Sequence, residues 1–258
     1  MTNPQQRKQT GIPGLDKMLN GGFLPQTANL VESAPGCGKT TLGMQFIRQG
    51  ALQGEPGLIL TFEQFPEQYY RDAASFGWDF RALEEQGLLK VIMSSPEVVQ
   101  TDLQRLDGSI QAWIREIGCQ RILIDSLSHF ERISDNPTVL RAQVYGFLNA
   151  LKREGLTALL TRETHVLLGD EEAAIEDTQL GFLVDAYILL RYVEIESAIR
   201  RAIIVLKMRG TSHDTHIRQF DINSHGLYVQ APFKDREAIL SGTPHYMAES
   251  FIKAFIRR

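Results

Sequence analysis

The residues with the clearest capacity for chemistry stand in one run at positions 33–40, with the sequence SAPGCGKT. Gly36 and Gly38 lack a Cβ, so backbone N–H groups can close around the oxygens of a phosphate. Lys39 can then reach the β- and γ-phosphates of a nucleotide, and the hydroxyl of Thr40 can ligate Mg²⁺. An apolar run precedes this loop and a helical pattern follows it, as in phosphate-binding loops. The run predicts a site for ATP and Mg²⁺.

One position of the loop departs from the strict pattern. G-x-x-x-x-G-K-[ST] begins with glycine, and this chain has Ser33 there. Because the Gly-Lys-Thr end makes the critical contacts, we treat Ser33 as a tolerated variant. The predicted nucleotide contacts of the loop are Ser33, Ala34, Pro35, Gly36, Cys37, Gly38, Lys39, Thr40 and Thr41.

Two carboxylates follow apolar, strand-like runs, and ligands of open α/β sheets bind at such strand ends. Asp125 follows the run at 122–124 and is expected beside the loop, holding the water shell of Mg²⁺ in the Walker B role. Glu63 follows the run at 58–62 and can orient and polarise the attacking water. The predicted metal-site residues are Thr40, Asp125 and Glu63.

Short apolar runs alternate with helical patterns over the first two thirds of the chain. This alternation predicts an α/β fold with right-handed βαβ units and a mainly parallel central sheet covered by helices on both faces. The last third has strand-like runs joined by short polar connections, which indicates an antiparallel C-terminal extension. The predicted strands are 28–31, 58–62, 89–93, 122–124, 156–160, 186–193, 198–209, 217–222 and 226–229. The predicted helices are 42–49, 67–76, 103–117 and 138–153.

Composition narrows the function classes. The 258 residues are 43% hydrophobic, enough for one sizeable core. A net charge of −4 gives no general attraction to nucleic acid or to anionic membranes. The longest apolar stretch, at 184–193, is short and is interrupted by Asp185 and Arg191, so no membrane span is expected. The N-terminal residues are polar and show no secretory signal. We interpret Cys37 and Cys119 as reduced thiols. Both observations predict a cytoplasmic protein.

Six further motifs occur in a fixed order around the loop. They are TGIPGLD at 10–16, the glycine pair at 21–22, TFE at 61–63, SFGWD at 75–79, IDS at 124–126 and KMRGTSH at 207–213. In this order the chain resembles the RecA/RadA superfamily of P-loop NTPases, and within it the KaiC-like ATPase domains. The resemblance covers residues 10–245, which we take as one ATPase domain between an N-terminal tail at 1–9 and a C-terminal helical tail at 246–258. The apolar stripe of that last tail is expected to pack on its own domain or a neighbouring subunit.

The resemblance implies a homo-oligomeric ring, usually a hexamer, with ATP bound between subunits. Lys207 and Arg209 would then point at the γ-phosphate held by the neighbour's loop. Cations of this kind contribute about 10³–10⁵ in rate in other phosphoryl-transfer enzymes. Met208, Thr211 and His213 of the same run are further nucleotide contacts that the resemblance implies.

Two departures from the family pattern concern catalysis. The family has two adjacent glutamates after the second strand, and this chain has Glu63 followed by Gln64. We still predict ATP hydrolysis, because Glu63 matches the first glutamate of the pair, which is the presumed water-activating residue. The positions that carry the self-phosphorylated hydroxyls in KaiC fall on Gly181 and Phe182, which have none, so we expect no phosphorylation there. Thr178 lies nearby and remains open as an acceptor.

Three alternative functions fit the residues to different degrees. A RecA/RadA-like DNA-dependent ATPase needs cations toward the DNA, whereas the segment 168–177 has five carboxylates and no Lys or Arg. A regulatory ring that signals its nucleotide state to a partner protein is compatible with ATPase activity, and the sequence does not separate the two. An autokinase, or a kinase of another protein, has no positive support from the residues.

Overall fold

The structure of the chain is a computed structural model. It describes residues 7–104, 108–164, 177–233, 236–237 and 245–246. Most of the acidic segment at 168–177, and nearly all of the predicted C-terminal helical tail, lie outside the described residues.

The strands and helices of the described residues follow in chain order. The strands are β1 Ala28–Ser33, β2 Gly57–Thr61, β3 Leu89–Met93, β4 Arg121–Asp125, β5 Thr157–Glu163, β6 Ala186–Ile195, β7 Ala198–Met208, β8 Arg218–Asn223, β9 Gly226–Pro232, β10 Arg236–Glu237 and β11 His245–Tyr246. The α-helices are α1 Leu15–Met18, α2 Lys39–Leu52, α3 Pro66–Ser75, α4 Phe80–Glu85, α5 Pro96–Gln104, α6 Ser109–Glu116 and α7 Pro137–Arg153. Two 3₁₀ helices of the described residues lie at Leu127–Arg132 and Asp177–Phe182.

A nine-stranded sheet forms the centre of the molecule, in the order β3-β2-β4-β5-β1-β6-β7-β8-β9. The strands from β3 to β6 are parallel to their neighbours, and β6 to β9 pair in antiparallel fashion. Parallel strands need crossover connections, and the intervening helices provide them. The predicted α/β fold, with a mainly parallel sheet and an antiparallel extension, is confirmed.

Strand β1 is buried along its whole length, as expected for a strand covered on both faces. Val31 belongs to the core layer that contains Phe46 of α2. Leu30 points the other way, into the layer that contains Leu151 of α7. Helices therefore cover both faces of the sheet at β1, and the polar loop that follows this strand starts from a fixed position.

The hairpin between β6 and β7 has a two-residue connection. Ile195 pairs with Ala198, and Glu196 and Ser197 between them have φ values of 55° and 61°. A positive φ at both central residues is the geometry of a type I′ turn, whose twist matches that of the flanking strands. This turn begins the antiparallel part of the sheet, because it returns β7 directly beside β6.

One sequence prediction about a helix was wrong. The periodic pattern over 103–117 predicted one helix, and the structure has α5 and α6 as separate helices. The Asp102 carboxylate accepts hydrogen bonds from the backbone N–H groups of Ser109, at 2.8 Å, and Ile110, at 2.7 Å. A side chain of α5 thus binds the first N–H groups of α6, so the second helix starts anew after Gly108.

Within the described part of the chain, none of the helices combines the length and the apolar character that crossing a bilayer needs.

Arg121, at the start of β4, is fully buried and ties the N-terminal segment to the sheet. Its guanidinium donates to Glu55 Oε2 at 2.7 Å, to the carbonyl oxygen of Gln9 at 2.6 Å and to that of Phe46 at 3.0 Å. Lys8 donates to the other Glu55 oxygen at 2.7 Å, so the carboxylate has two cationic partners. The buried charge is stable because nearly every donor direction has an acceptor.

We expect Arg121→Ala to lower the free energy of unfolding by about 3 kcal/mol, because it leaves buried acceptors without a donor. Urea denaturation measures this change. The control is Arg115→Ala on the exposed face of α6, which should stay within about 0.5 kcal/mol of the wild type. Equal stabilities of the two variants would contradict a structural role for the Arg121 network.

Candidate nucleotide-binding site

A cavity of about 310 Å³ opens at the carboxyl ends of the parallel strands. This is the edge of an α/β sheet at which ligands bind. Of the residues predicted from the sequence, those that line the cavity are Pro35, Gly36, Gly38, Lys39, Thr40, Thr41, Glu63 and Asp125. The structure therefore brings the loop and both strand-end carboxylates to one place.

The phosphate loop connects β1 to α2 through two glycines in the left-handed region. Gly36 has φ 74° and Gly38 has φ 113°, and α2 begins directly after Gly38. A Cβ built on Gly38 would come within 2.6 Å of Ile222 Cδ1. The backbone conformation thus requires glycine at this position, and an added Cβ would also displace the tip of the Ile222 side chain. The loop aims the N–H groups at the start of α2 into the cavity, where they can bind an anion.

The Lys39 side chain folds back onto the phosphate loop that precedes it. Its ammonium donates to the carbonyl oxygens of Ser33 and Ala34, each at 3.1 Å, and contacts Ser33 Oγ at 3.2 Å. Burial lowers the pKa of Lys39, and the carboxylates of Glu163 and Asp125 act in the opposite direction. Ser33, which replaces the usual glycine, is buried and donates its hydroxyl to the Ala34 carbonyl oxygen at 2.8 Å. The serine therefore fits without disturbing the loop.

Cys37 is buried within the loop and does not line the cavity. Burial raises the pKa of its thiol to about 11, so the thiol is protonated at neutral pH. Cys119 is also a free, buried thiol.

The Asp125 carboxylate is the centre of a hydrogen-bond cluster on the floor of the cavity. Its Oδ2 accepts from Thr40 Oγ1 at 2.9 Å and from the Tyr69 hydroxyl at 2.6 Å. Its Oδ1 accepts from the hydroxyl of Thr161, on β5. Both oxygens are therefore held in place.

This donor set fits Mg²⁺. Thr40 and Asp125 offer hard oxygen ligands 2.9 Å apart, and among the described residues no group of three or more His, Cys, Asp or Glu forms a cage for a metal. Mg²⁺ usually binds to one or two protein oxygens and completes its shell with water and substrate phosphates.

Glu63 follows β2 at the rim of the cavity. Its side chain is 72% exposed, and its Oε2 lies 4.0 Å from His129 Nε2. The backbone N–H groups of Glu63 and Gln64 point to Thr61 Oγ1, at 3.4 and 3.2 Å, so the turn is anchored to the strand end. Gln64 Oε1 is buried and has no hydrogen-bond partner within the described part of the chain.

Lys207 and Arg209 lie at the other end of the sheet. Ala186 pairs with Asn29 near the start of β1 and with Met208 near the end of β7, whereas the loop follows the end of β1. The six residues of β1 extend about 3.3 Å each. Within one chain, the two cations and Lys39 are therefore separated by most of the length of this strand.

The two cations are held by the turn before β6. The Lys207 ammonium donates to the carbonyl oxygens of Gly181, at 2.9 Å, and Val184, at 2.8 Å. Arg209 donates to that of Phe182 at 2.7 Å. Thr211, in the same run, accepts a hydrogen bond from Arg7 at 2.6 Å. The lining of the cavity does not include Met208, Thr211 or His213 of the same chain.

Comparison with known proteins decides the family. A family model for the KaiC ATPase matches residues 8–234, from the N-terminal segment to the end of the large sheet. The chain belongs to the KaiC ATPase family. The resemblance seen in the sequence motifs is thereby confirmed.

Several circadian clock proteins are similar to this KaiC-family chain. The circadian clock protein KaiC3 of Synechocystis is 38% identical over 247 residues, which are 96% of this chain and 48% of that protein. The circadian clock oscillator protein KaiC of Rippkaea orientalis is 37% identical over 238 residues, or 92% of this chain and 45% of that protein. The oscillator protein of Thermosynechococcus vestitus is 36% identical over 239 residues, with the same coverage of 92% and 45%. The chain thus spans about half the length of the curated relatives it matches.

Sequence reasoning missed several residues of the cavity in this KaiC-family domain. They are Thr61, Gln64, Tyr69, Ser126, Glu163 and Ile222. Glu163 ends β5 and lies 3.9 Å from Lys39 Nζ, so the strand-end rule that found Asp125 could have found it. Tyr69 gave no signal, because an aromatic residue on a helix pattern is usually core, and its ring is indeed buried.

We expect Gly38→Ala to abolish ATP binding, because the added Cβ meets Ile222 and the residue must keep a positive φ. The measurement is equilibrium binding of a fluorescent ATP analogue. Gly54→Ala is the control: it has φ 72° and no atom within 4 Å of the added Cβ. Both variants should lose about 1 kcal/mol of stability from backbone strain. Loss of binding in both would contradict a local effect at the loop.

Proposed function

We propose that this chain binds Mg²⁺-ATP and hydrolyses it, at a site that a second copy of the chain completes within a ring, in our view a hexamer. The observation that carries the proposal is the meeting of Lys39, Thr40, Asp125 and Glu63 around one cavity. The proposed domain comprises residues 10–245, followed by a separate tail at 246–258.

Each cavity residue has a role that its contacts support. The loop N–H groups and Lys39 bind the phosphates, and the ammonium exchanges its carbonyl acceptors for phosphate oxygens. Thr40 and Asp125 hold Mg²⁺, and bound Mg²⁺ supplies positive charge that neutralises the phosphates. Glu63, on the exposed rim, orients the attacking water and accepts its proton.

The position of Lys207 and Arg209 supports a site shared between subunits. Within one chain they lie at the opposite end of the sheet from Lys39, so they can reach a γ-phosphate only on another copy. A contact that joins one edge of a subunit to the opposite edge of the next is head-to-tail, and such contacts close into rings. The carbonyl oxygens around both cations restrict their side chains before any such contact forms.

A regulatory role is favoured over DNA handling. The net charge is −4 and the segment 168–177 is acidic, whereas affinity for nucleic acid depends on cations that contact phosphates. Two relatives are named as circadian clock oscillator proteins, which supports a signalling ATPase with a protein partner. The buried free thiols of Cys37 and Cys119 suit a reducing, cytoplasmic location. Kinase activity has no residue that specifically favours it.

We expect Glu63→Gln to lower the ATP turnover rate about 10²–10⁴-fold, because an amide cannot accept the proton of the attacking water. Affinity for Mg²⁺-ATP should change less than about twofold, since the phosphate loop, Thr40 and Asp125 are kept and the new amide still offers an oxygen to the metal. Phosphate release measures the first quantity and equilibrium binding the second. The matched control is Glu67→Gln on α3, whose carboxylate pairs with Arg81 at the surface. Wild-type turnover in Glu63→Gln would disprove the catalytic role.

We expect a mixture of Lys39→Ala and Arg209→Ala subunits to recover part of the ATPase activity that each variant lacks alone. In a mixed ring some interfaces join an intact phosphate loop to an intact arginine, and those interfaces can hydrolyse ATP. Native mass spectrometry confirms that mixed rings form, and phosphate release gives their activity. Mixed rings without recovered activity would contradict the shared site.

A further inference from the structure

Tyr69 contacts the predicted metal site, yet none of the motifs includes it and the proposed hydrolysis does not use it. It lies on α3, is 1% exposed, and is among the residues that line the cavity. The hydroxyl donates to Asp125 Oδ2 at 2.6 Å, the oxygen that also accepts from Thr40. Hydrogen bonds to an ionised acceptor are the short and strong ones, so this contact restrains the carboxylate.

The phenol of Tyr69 is a donor and remains one. An ionised carboxylate only accepts hydrogen bonds, so the phenol supplies the proton of its contact with Asp125. Its ring belongs to the same core layer as Phe46 and Leu123, which fixes the position of the hydroxyl. A rigid donor therefore faces an acceptor that belongs to the metal site.

The Asp125 carboxylate has one hydrogen-bond partner that can also bind the metal, Thr40, and two that only hold the carboxylate in position. Thr161 holds one carboxylate oxygen and Tyr69 the other, from β5 and α3 respectively. If Thr40 uses its hydroxyl for Mg²⁺, these two donors still orient the carboxylate. Partners of this kind fix the direction of metal-binding groups, and their loss typically costs 10–100-fold in metal affinity.

We propose that Tyr69 is a positioning residue that fixes the Asp125 carboxylate for Mg²⁺ and thereby sets the Mg²⁺ concentration at which the chain binds ATP. This inference rests on the proposed Mg²⁺-ATP site. It adds that α3, the helix that follows the Glu63 turn, is coupled to the metal by one hydroxyl group.

The next residue provides a matched control. The Tyr70 hydroxyl donates to Glu84 on α4, away from the cavity, and the ring is half-buried. Tyr69→Phe and Tyr70→Phe thus remove the same atom from adjacent positions of one helix, and only the first removes a donor to Asp125.

The experiment titrates MgCl₂ into the full chain in the presence of a fluorescent, non-hydrolysable ATP analogue, so the readout is binding and not turnover. We expect Tyr69→Phe to need about tenfold more Mg²⁺ for half-maximal binding. Tyr70→Phe should match the wild type, and the affinity of all three proteins measured in EDTA should be equal. Melting temperatures in EDTA show whether each variant is folded.

A second variant keeps the inference testable if Tyr69→Phe does not fold. Thr161→Val removes the donor to the other Asp125 oxygen and should also raise the Mg²⁺ requirement. An unchanged requirement in either folded variant would overturn the inference. So would an affinity loss in Tyr69→Phe that is equal with Mg²⁺ and with EDTA, because the hydroxyl would then act on the cavity and not on the metal. If the wild-type chain binds the analogue without any response to Mg²⁺, the proposed function itself fails, and the inference with it.

Discussion

The hydrogen-bonded pairing of β1 with β5 on one side and β6 on the other is the interaction on which the rest of the structure depends. The β5 ladder aligns Ser33 with Glu163, so the loop and a strand-end carboxylate start from the same level of the sheet. The β6 ladder aligns the start of β1 with Ala186, and β7 then returns to that level with Met208. One strand thus determines where the glycine loop lies and where the distant cations lie.

Under the proposed shared site, that arrangement places the two halves of the site at different ends of one chain. The loop half contains Lys39 and Asp125, and the other half contains Lys207 and Arg209 at the opposite end of the sheet. If the two halves meet head-to-tail between copies, as proposed, each copy offers its second half to the next copy. The proposed ring is the closed form of that contact.

Much of the fold could be predicted from the sequence because its signals are local. Apolar runs and helical periods gave the strands and most helices, and the strand-end rule gave Asp125 and Glu63 positions that line the cavity. The break between α5 and α6 was missed because it depends on Asp102 contacting N–H groups that follow it by seven and eight positions. Tyr69 was missed for a similar reason: its ring follows the helical pattern of a core residue, and only the tertiary fold brings its hydroxyl to Asp125 at the end of β4. The roles of the site residues remain predictions.

The contacts of Lys39 with its own loop have a consequence for selectivity among anions. A ligand that engages the ammonium must replace the two carbonyl oxygens and the Ser33 hydroxyl that already accept from it. Chloride offers no oxygen in return, and a single orthophosphate offers fewer oxygens than a triphosphate does. A triphosphate offers oxygens to the ammonium and to the backbone N–H groups together. If the loop binds ATP as proposed, these contacts favour a triphosphate over the small anions of a cell.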